Sequence, residues 1–285
     1  MKKITLIFLL ATVIVCFASA ANAARYPKPG ATAALLMDAD SGEIIYAKNA
    51  RTPLAPASTT KIMTAILALE HLNLNSKVTI QPTAAGKEGS SMYLNHNEKL
   101  TVRELIYGLL LVSGNDAATA IAEAVSGNEA RFAALMTFKA KQLGMYDTNF
   151  KNASGLPEKG HVSTAYDMAI LTRYAMNNGN FKKIFGTKVK EVTGSKPGEP
   201  RRLINHNKLL WQYPYTTGGK TGYTRAAGGC LVSTASREQQ SLIAVVLKTS
   251  YKYDDSKQLF DYGFAKLLKK GKHPNHYASS NSSAG

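Results

Sequence analysis

Strand-like runs stand near both ends of this sequence, and helical periodicity fills the stretch between them. Ala33-Ala34-Leu35-Leu36-Met37 and Ile44-Ile45-Tyr46-Ala47 flank turn chemistry at residues 38–42, which reads as a β-hairpin. Residues 229–234 and 242–247 flank Ser236-Arg237-Glu238-Gln239 and read as a second hairpin. Between them, residues 58–72 carry Ile62, Ile66 and Leu69 at helical spacing. Further helices are expected over 102–111, 116–125 and 129–143, the last stopped by Gly144. Thr164-x-x-Asp167 opens another through Met176. An amphipathic helix over 254–268 would pack Leu259, Phe260 and Phe264. The pattern predicts a mixed α/β (α+β) chain: an antiparallel sheet built from both chain ends, with flanking helices and an inserted helical region.

The first 23 residues have a different character. Met1-Lys2-Lys3 precedes an uncharged, mostly apolar run over 4–17, followed by Ala18-Ser19-Ala20 and Ala21-Asn22-Ala23. This is the layout of a secretory signal peptide, too short in its apolar part to span a bilayer, with cleavage expected after Ala23. The expected organisation is a leader over 1–23, one catalytic domain over 24–270, and a disordered Ser- and Asn-rich tail over 271–285. Export also sets the meaning of the charge. The 35 Lys and Arg against 19 Asp and Glu give +16; without Lys2 and Lys3 it is 33 against 19, or +14. Outside the cytoplasm the anions to meet are wall polymers and lipid headgroups. No arginine-rich helix or zinc-finger spacing points to nucleic acid. Cys230, the one cysteine after the leader, lies in the apolar run Gly229-Cys230-Leu231-Val232 and reads as a small core residue.

Three short motifs carry chemistry. Ser58-Thr59-Thr60-Lys61 places a hydroxyl and an amine one helical turn apart. Such a serine becomes a nucleophile once the lysine takes its proton, which needs a lysine pKa lowered by burial or by another cation. Ser113-Gly114-Asn115 offers a proton-relaying hydroxyl and an orienting amide between two apolar helices. Ser126-Gly127-Asn128 repeats the tripeptide and is explained as a helix stop followed by a helix cap. Lys220-Thr221-Gly222 supplies a cation and a hydroxyl that can grip a carboxylate, with a glycine permitting close backbone approach. Reading Gly219-Lys220-Thr221 as a phosphate loop fails, because Pro214 stands where that loop needs glycine.

The order, with Ser113 55 residues after Ser58 and Lys220 107 further on, is far more specific than any one motif. It resembles the low-molecular-mass penicillin-binding proteins, specifically the serine-type D-alanyl-D-alanine carboxypeptidase family. The flanking Pro56-Ala57, Gly89-Ser90-Ser91-Met92-Tyr93-Leu94, Tyr107-Gly108-Leu109-Leu110, Ser163-Thr164-Ala165-Tyr166-Asp167-Met168 and Tyr223-Thr224 also match, so the likeness covers about residues 31–264. It implies a peptidase acting on peptidoglycan stems ending in D-Ala-D-Ala and acylated by β-lactams, without a cofactor or metal. By the resemblance Ser58 is the nucleophile, Lys61 the base and Ser113 the proton shuttle. Asn115 orients substrate, Lys220 and Thr221 hold its terminal carboxylate, and the backbone N–H groups of Ser58 and Tyr223 form an oxyanion hole beside Gly222. Lys220 is further expected to keep Lys61 deprotonated by repulsion. Where many members carry an arginine after the last strand, this chain has Lys252. Many members also add a β-rich second domain, which is not expected from the residues that follow Phe264.

Other readings are separable. A class A β-lactamase needs a water-activating glutamate in Glu-x-x-Leu-Asn, and Glu123, Glu129, Glu158, Glu191 and Glu199 all lack that context. DD-endopeptidase or transpeptidase activity on cross-links stays open, since the sequence does not say whether water or an amine takes the acyl group. A non-catalytic wall-binding module is disfavoured by the intact Ser58, Lys61, Ser113 and Lys220. His71, His96, His161, His206, His273 and His276 include no His-Glu-x-x-His, so a zinc peptidase is not expected.

Overall fold

The computed structural model describes residues 26–196 and 198–270; the expected leader and tail lie outside the described residues. Both expected hairpins form. β1 (Ala33–Asp38) and β2 (Ile44–Lys48) pair antiparallel, and Asp38 Oδ1 fixes their turn by accepting from Asp40 N, Ser41 N and Ser41 Oγ. β8 (Gly228–Arg237) and β9 (Gln240–Thr249) meet through Glu238 and Gln239, both at positive φ, as a two-residue hairpin turn demands. β1 lies against β9, with Ala33 opposite Leu247 and Asp38 opposite Leu242, so the two ends of the domain close one sheet. β7 (Thr216–Thr224) adds to β8, giving a five-stranded antiparallel sheet in the order β2-β1-β9-β8-β7. Lys220, the lysine of the third motif, therefore stands within an edge strand.

Alternation along the strands splits the core in two. Leu35, Met37, Cys230, Val232, Ile243 and Val245 face one apolar cluster, while Leu36, Leu231, Leu242, Ala244 and Val246 face the other. The second face is covered by α8 (Lys252–Lys270) through Leu259, Phe260 and Phe264, as expected. The first face packs the helical region: α1 (Lys61–His71), α2 (Val102–Leu111), α3 (Asn115–Ser126), α4 (Glu129–Gln142), α5 (Ala165–Met176) and α6 (Gly179–Phe185). α1 is buried from Lys61 through Ala68, the signature of a helix enclosed on all sides.

Small differences from the sequence expectation sit at the ends of elements. The helix expected over 58–72 begins as a 3-10 turn, Ala57–Thr60, and becomes α only at Lys61. Two hairpins that the sequence did not signal appear: β3 (Lys77–Thr79) with β4 (Lys99–Thr101), and β5 (Val189–Lys196) with β6 (Glu199–Ile204). A one-turn helix, α7 (Leu209–Gln212), precedes β7. The repeat tripeptide behaves as read: Gly127 is left-handed at φ 78, and Asn128 caps α4 by accepting from Arg131 N. No helix among the described residues is long and apolar enough to cross a membrane.

Candidate active site

The site forms where α1, the turn between α2 and α3, and β7 converge. Ser58 lies in the 3-10 turn that leads into α1, directly after Ala57, which is held at φ 48. That is a left-handed conformation for a residue with a Cβ, a form of strain that concentrates at functional turns. Lys61, one turn on, is completely buried. Its Nζ donates to Ser58 Oγ at 3.2 Å, to Asn115 Oδ1 at 2.7 Å and to the Ser154 carbonyl at 2.7 Å. Three acceptors match the three protons of an ammonium, and a neutral amine in the same place would present a lone pair to the Ser58 hydroxyl.

The electrostatics favour the neutral form. Burial pushes the Lys61 pKa well below the ordinary lysine range, and the Lys220 ammonium lowers it further. Asp116 and Glu129 act in the opposite direction. The sequence reading asked for burial or another cation and named Lys220 as that cation; both act, desolvation being the larger. Lys220, only 1% exposed, is itself lowered to about 7 by burial. Its Nζ donates to the Thr221 carbonyl at 2.8 Å.

Ser113 terminates α2 at φ 64 and is almost fully buried. Asn115 begins α3, and both ends of its amide are engaged: Oδ1 accepts from Lys61, and Nδ2 donates to Glu88 O at 2.7 Å. The residue expected to orient substrate therefore also orients the lysine, and one amide proton remains for a substrate carbonyl. The loop across α3 is tied down by buried Asp116, which accepts from Ser91 Oγ at 2.6 Å, Leu94 N at 3.0 Å and Met92 N at 3.1 Å.

Gly222 explains how β7 reaches Ser58. A Cβ there would stand 3.0 Å from Ser58 N and 3.1 Å from Pro56 O. The glycine admits the backbone of the turn that carries Ser58, the close approach its place in the motif permits. Thr221 is half-buried, and Tyr223 projects into solvent from the same edge strand. Lys252 lies in a groove with Tyr223, Lys248 and Tyr251, its Nζ 5.3 Å from the Tyr253 ring centroid.

Several contributors escaped sequence reasoning. Ser154 acts through its carbonyl, which no side-chain pattern announces. Gly155, at φ +84, brings its loop so close to the nucleophile turn that a Cβ would lie 1.9 Å from Ala57 O. His161 supports that turn from below: Nδ1 accepts from Lys151 N, which assigns the proton to Nε2 for the 2.9 Å bond to Thr60 Oγ1. Burial and then the Lys61 charge lower this imidazole to about 4, so it is neutral at physiological pH. His206 stands beside the same machinery, its backbone N–H donating to Leu111 O at 3.0 Å and its imidazole pKa lowered by burial and by Lys220. No group of His, Cys, Asp and Glu among the described residues could hold a metal ion.

The constellation can therefore generate a serine alkoxide equivalent next to a second buried lysine, Lys220. Comparison with known proteins points the same way. The sequence profile of the D-alanyl-D-alanine carboxypeptidase family matches residues 20–250. The chain is 37% identical to D-alanyl-D-alanine carboxypeptidase DacF of Bacillus subtilis, over 93% of this chain and 72% of that one. It is 35% identical to DacB2 of Mycobacterium tuberculosis, over 81% of each. The crystal structure of the Streptomyces K15 DD-transpeptidase superposes with a TM-score of 0.79 at 34% identity, over 84% of this chain and 98% of that one. On the matched profile, the relatives and the shared fold, this chain belongs to the D-alanyl-D-alanine carboxypeptidase family of serine peptidases.

Proposed function

We propose that this serine DD-carboxypeptidase removes the terminal D-Ala from peptidoglycan stems through an acyl-enzyme on Ser58. The observation that carries the reading is Lys61: fully buried, bonded to Ser58 Oγ, and lowered in pKa by burial and by Lys220. Ser58 Oγ attacks the carbonyl of the penultimate D-Ala while its proton passes to neutral Lys61 Nζ. The backbone N–H groups of Ser58 and Tyr223 receive the developing oxyanion. As the C–N bond breaks, the Ser113 hydroxyl gives its proton to the leaving amine and is reprotonated from Lys61. Lys220 and Thr221 hold the departing carboxylate. Water then attacks the ester, Lys61 takes its proton, and the shortened stem leaves with Ser58 restored.

A penicillin enters the same first step, but the amine released by ring opening stays tethered to the acyl group and keeps water from the ester, so its acyl-enzyme persists. None of the glutamates between the second and third motifs bonds to Ser58 or Lys61 among the described residues; Glu129, the one that biases Lys61, is held by Lys87 and Ala153. A β-lactamase reading therefore lacks its water-activating group. Export through the leader over 1–23, and a basic surface resting on anionic wall polymer or lipid, complete the proposal.

Fluorescent penicillin tests it directly. The wild type is expected to label covalently and to release D-Ala from a soluble pentapeptide, and Ser58→Ala to do neither. Equal labelling of both would remove Ser58 from the mechanism. Comparing D-Ala release with cleavage of purified cross-linked dimers separates the carboxypeptidase from an endopeptidase.

A further inference from the structure

Glu129, at the start of α4, takes no part in the bond changes just described, yet its carboxylate joins two loops that reach the base. Oε2 accepts from Lys87 Nζ at 3.0 Å, and Oε1 accepts from Ala153 N at 3.2 Å. The residue after each of these partners supplies a carbonyl to the site. Glu88 O accepts from Asn115 Nδ2, and Ser154 O accepts from Lys61 Nζ, both at 2.7 Å. Asn115 spans the gap between them, its Oδ1 accepting from Lys61 Nζ at 2.7 Å. Lys61, Asn115 and the two loops thus form a closed circuit that shuts at Glu129.

Both loops press on the elements they serve. A Cβ on Gly89, which lies at φ +84, would stand 2.8 Å from Asn115 Nδ2, and Ser90 O accepts from Asn115 N at 2.7 Å. Ala153 O accepts from Thr64 Oγ1 on α1 at 2.6 Å. Exposed ion pairs contribute little to stability. This one differs, because the Lys87 and Glu129 side chains are only 28% and 24% exposed and the second carboxylate oxygen binds the other loop. We propose that the Lys87–Glu129 pair is a positioning clamp for acylation, one carboxylate fixing the two loops whose carbonyls set Lys61 and Asn115 against Ser58. The clamp rests on the role of Lys61 proposed above. It also carries charge to the base: Lys220 of β7, Asp116 of α3 and Glu129 of α4 bias the Lys61 amine, and neutral His161 faces it ahead of α5. Glu129 favours the ammonium, and Lys87 offsets that carboxylate.

Stopped-flow penicillin acylation, D-Ala release from a soluble pentapeptide and melting curves test the clamp on Lys87→Met, Glu129→Ala and the double variant. Small misplacements of a reacting group are costly, so Glu129→Ala is expected to slow acylation about tenfold or more and to lower kcat with KM little changed. Lys87→Met costs less, because the Ala153 contact survives, and adds nothing once Glu129 is gone. The acid limb of acylation moves to lower pH in Glu129→Ala and to higher pH in Lys87→Met, which leaves the carboxylate uncompensated; lost stability alone would not part the two. Glu129→Gln keeps an acceptor for Ala153 N and gives the downward shift with a smaller loss of rate, however well Glu129→Ala folds. Exchanging the pair, Lys87→Glu with Glu129→Lys, is expected to regain the Tm but not the acylation rate, since lysine cannot accept from Ala153 N. Wild-type acylation in both single variants, additive losses in the double variant, or acid limbs that move the same way overturn the clamp. A wild type that labels with penicillin but releases no D-Ala overturns the carboxypeptidase reading alone, because acylation still reads the clamp.

Discussion

The proposed reaction needs Lys61 without its proton and Lys220 with one, although both ammonium groups are buried and both are destabilised by it. The acid limb of kcat/KM therefore belongs to Lys61: as pH falls through its lowered pKa, the base is protonated and activity is lost. The alkaline limb belongs to Lys220, which loses its charge as pH rises through about 7. A bound carboxylate favours the charged lysine. The alkaline limb of kcat is accordingly expected at higher pH than that of kcat/KM, and coincident limbs would separate Lys220 from the substrate carboxylate. Glu129 raises the Lys61 pKa, so Glu129→Gln is expected to carry the acid limb to lower pH. A pH–rate profile of the variant that moves upward, or not at all, would contradict this assignment.

At the scale of elements, the site depends on two close backbone approaches to the turn Ala57–Thr60. Gly222→Ala inserts a methyl 3.0 Å from Ser58 N and is expected to slow penicillin acylation tenfold or more, with little change in Tm. Gly155→Ala differs because its φ is +84 and Ala57 O blocks the new Cβ at 1.9 Å. The left-handed backbone alone costs about 1 kcal/mol or more, so thermal unfolding should shift downward as well as acylation. Stopped-flow acylation and a melting curve on each variant distinguish the two cases. These elements also mark what a sequence can disclose. The hairpins β1–β2 and β8–β9 were legible because period-two apolar runs flank turn residues. Ser58, Lys61 and Lys220 were legible because side-chain chemistry carries their roles. β7 was not, since Thr216-Thr217-Gly218-Gly219 reads as a loop until β8 supplies partners. β5 and β6 are polar and largely exposed, so no apolar period betrays them. Ser154 and Glu88 contribute carbonyl oxygens, and Thr60 meets His161 across 101 residues; none of these leaves a local pattern.

Across the whole molecule, a formal charge of +16, or +14 without Lys2 and Lys3, accompanies a site proposed to bind a carboxylate. Screening lengths fall from about 30 Å at 0.01 M salt to about 8 Å at 0.15 M, so attraction to a polyanion weakens steeply over that range. Co-sedimentation with vesicles rich in anionic lipid, or with an anionic wall polymer, is expected at low salt and should be lost on raising it. Binding that ignores ionic strength would mean that apolar contact holds the protein, and no binding at either salt would leave the charge serving solubility alone.

The pairing of β1 with β9 joins residues 33–38 to residues 242–247 through the middle of the sheet. During synthesis the earlier strand waits for a partner some two hundred positions downstream, and β8 and β7 must dock before Gly222 meets Ser58. Long-range pairings of this kind assemble slowly. A ribosome-bound chain that stops short of β9 consequently carries a harmless serine, and reactivity switches on only when that seam is sewn.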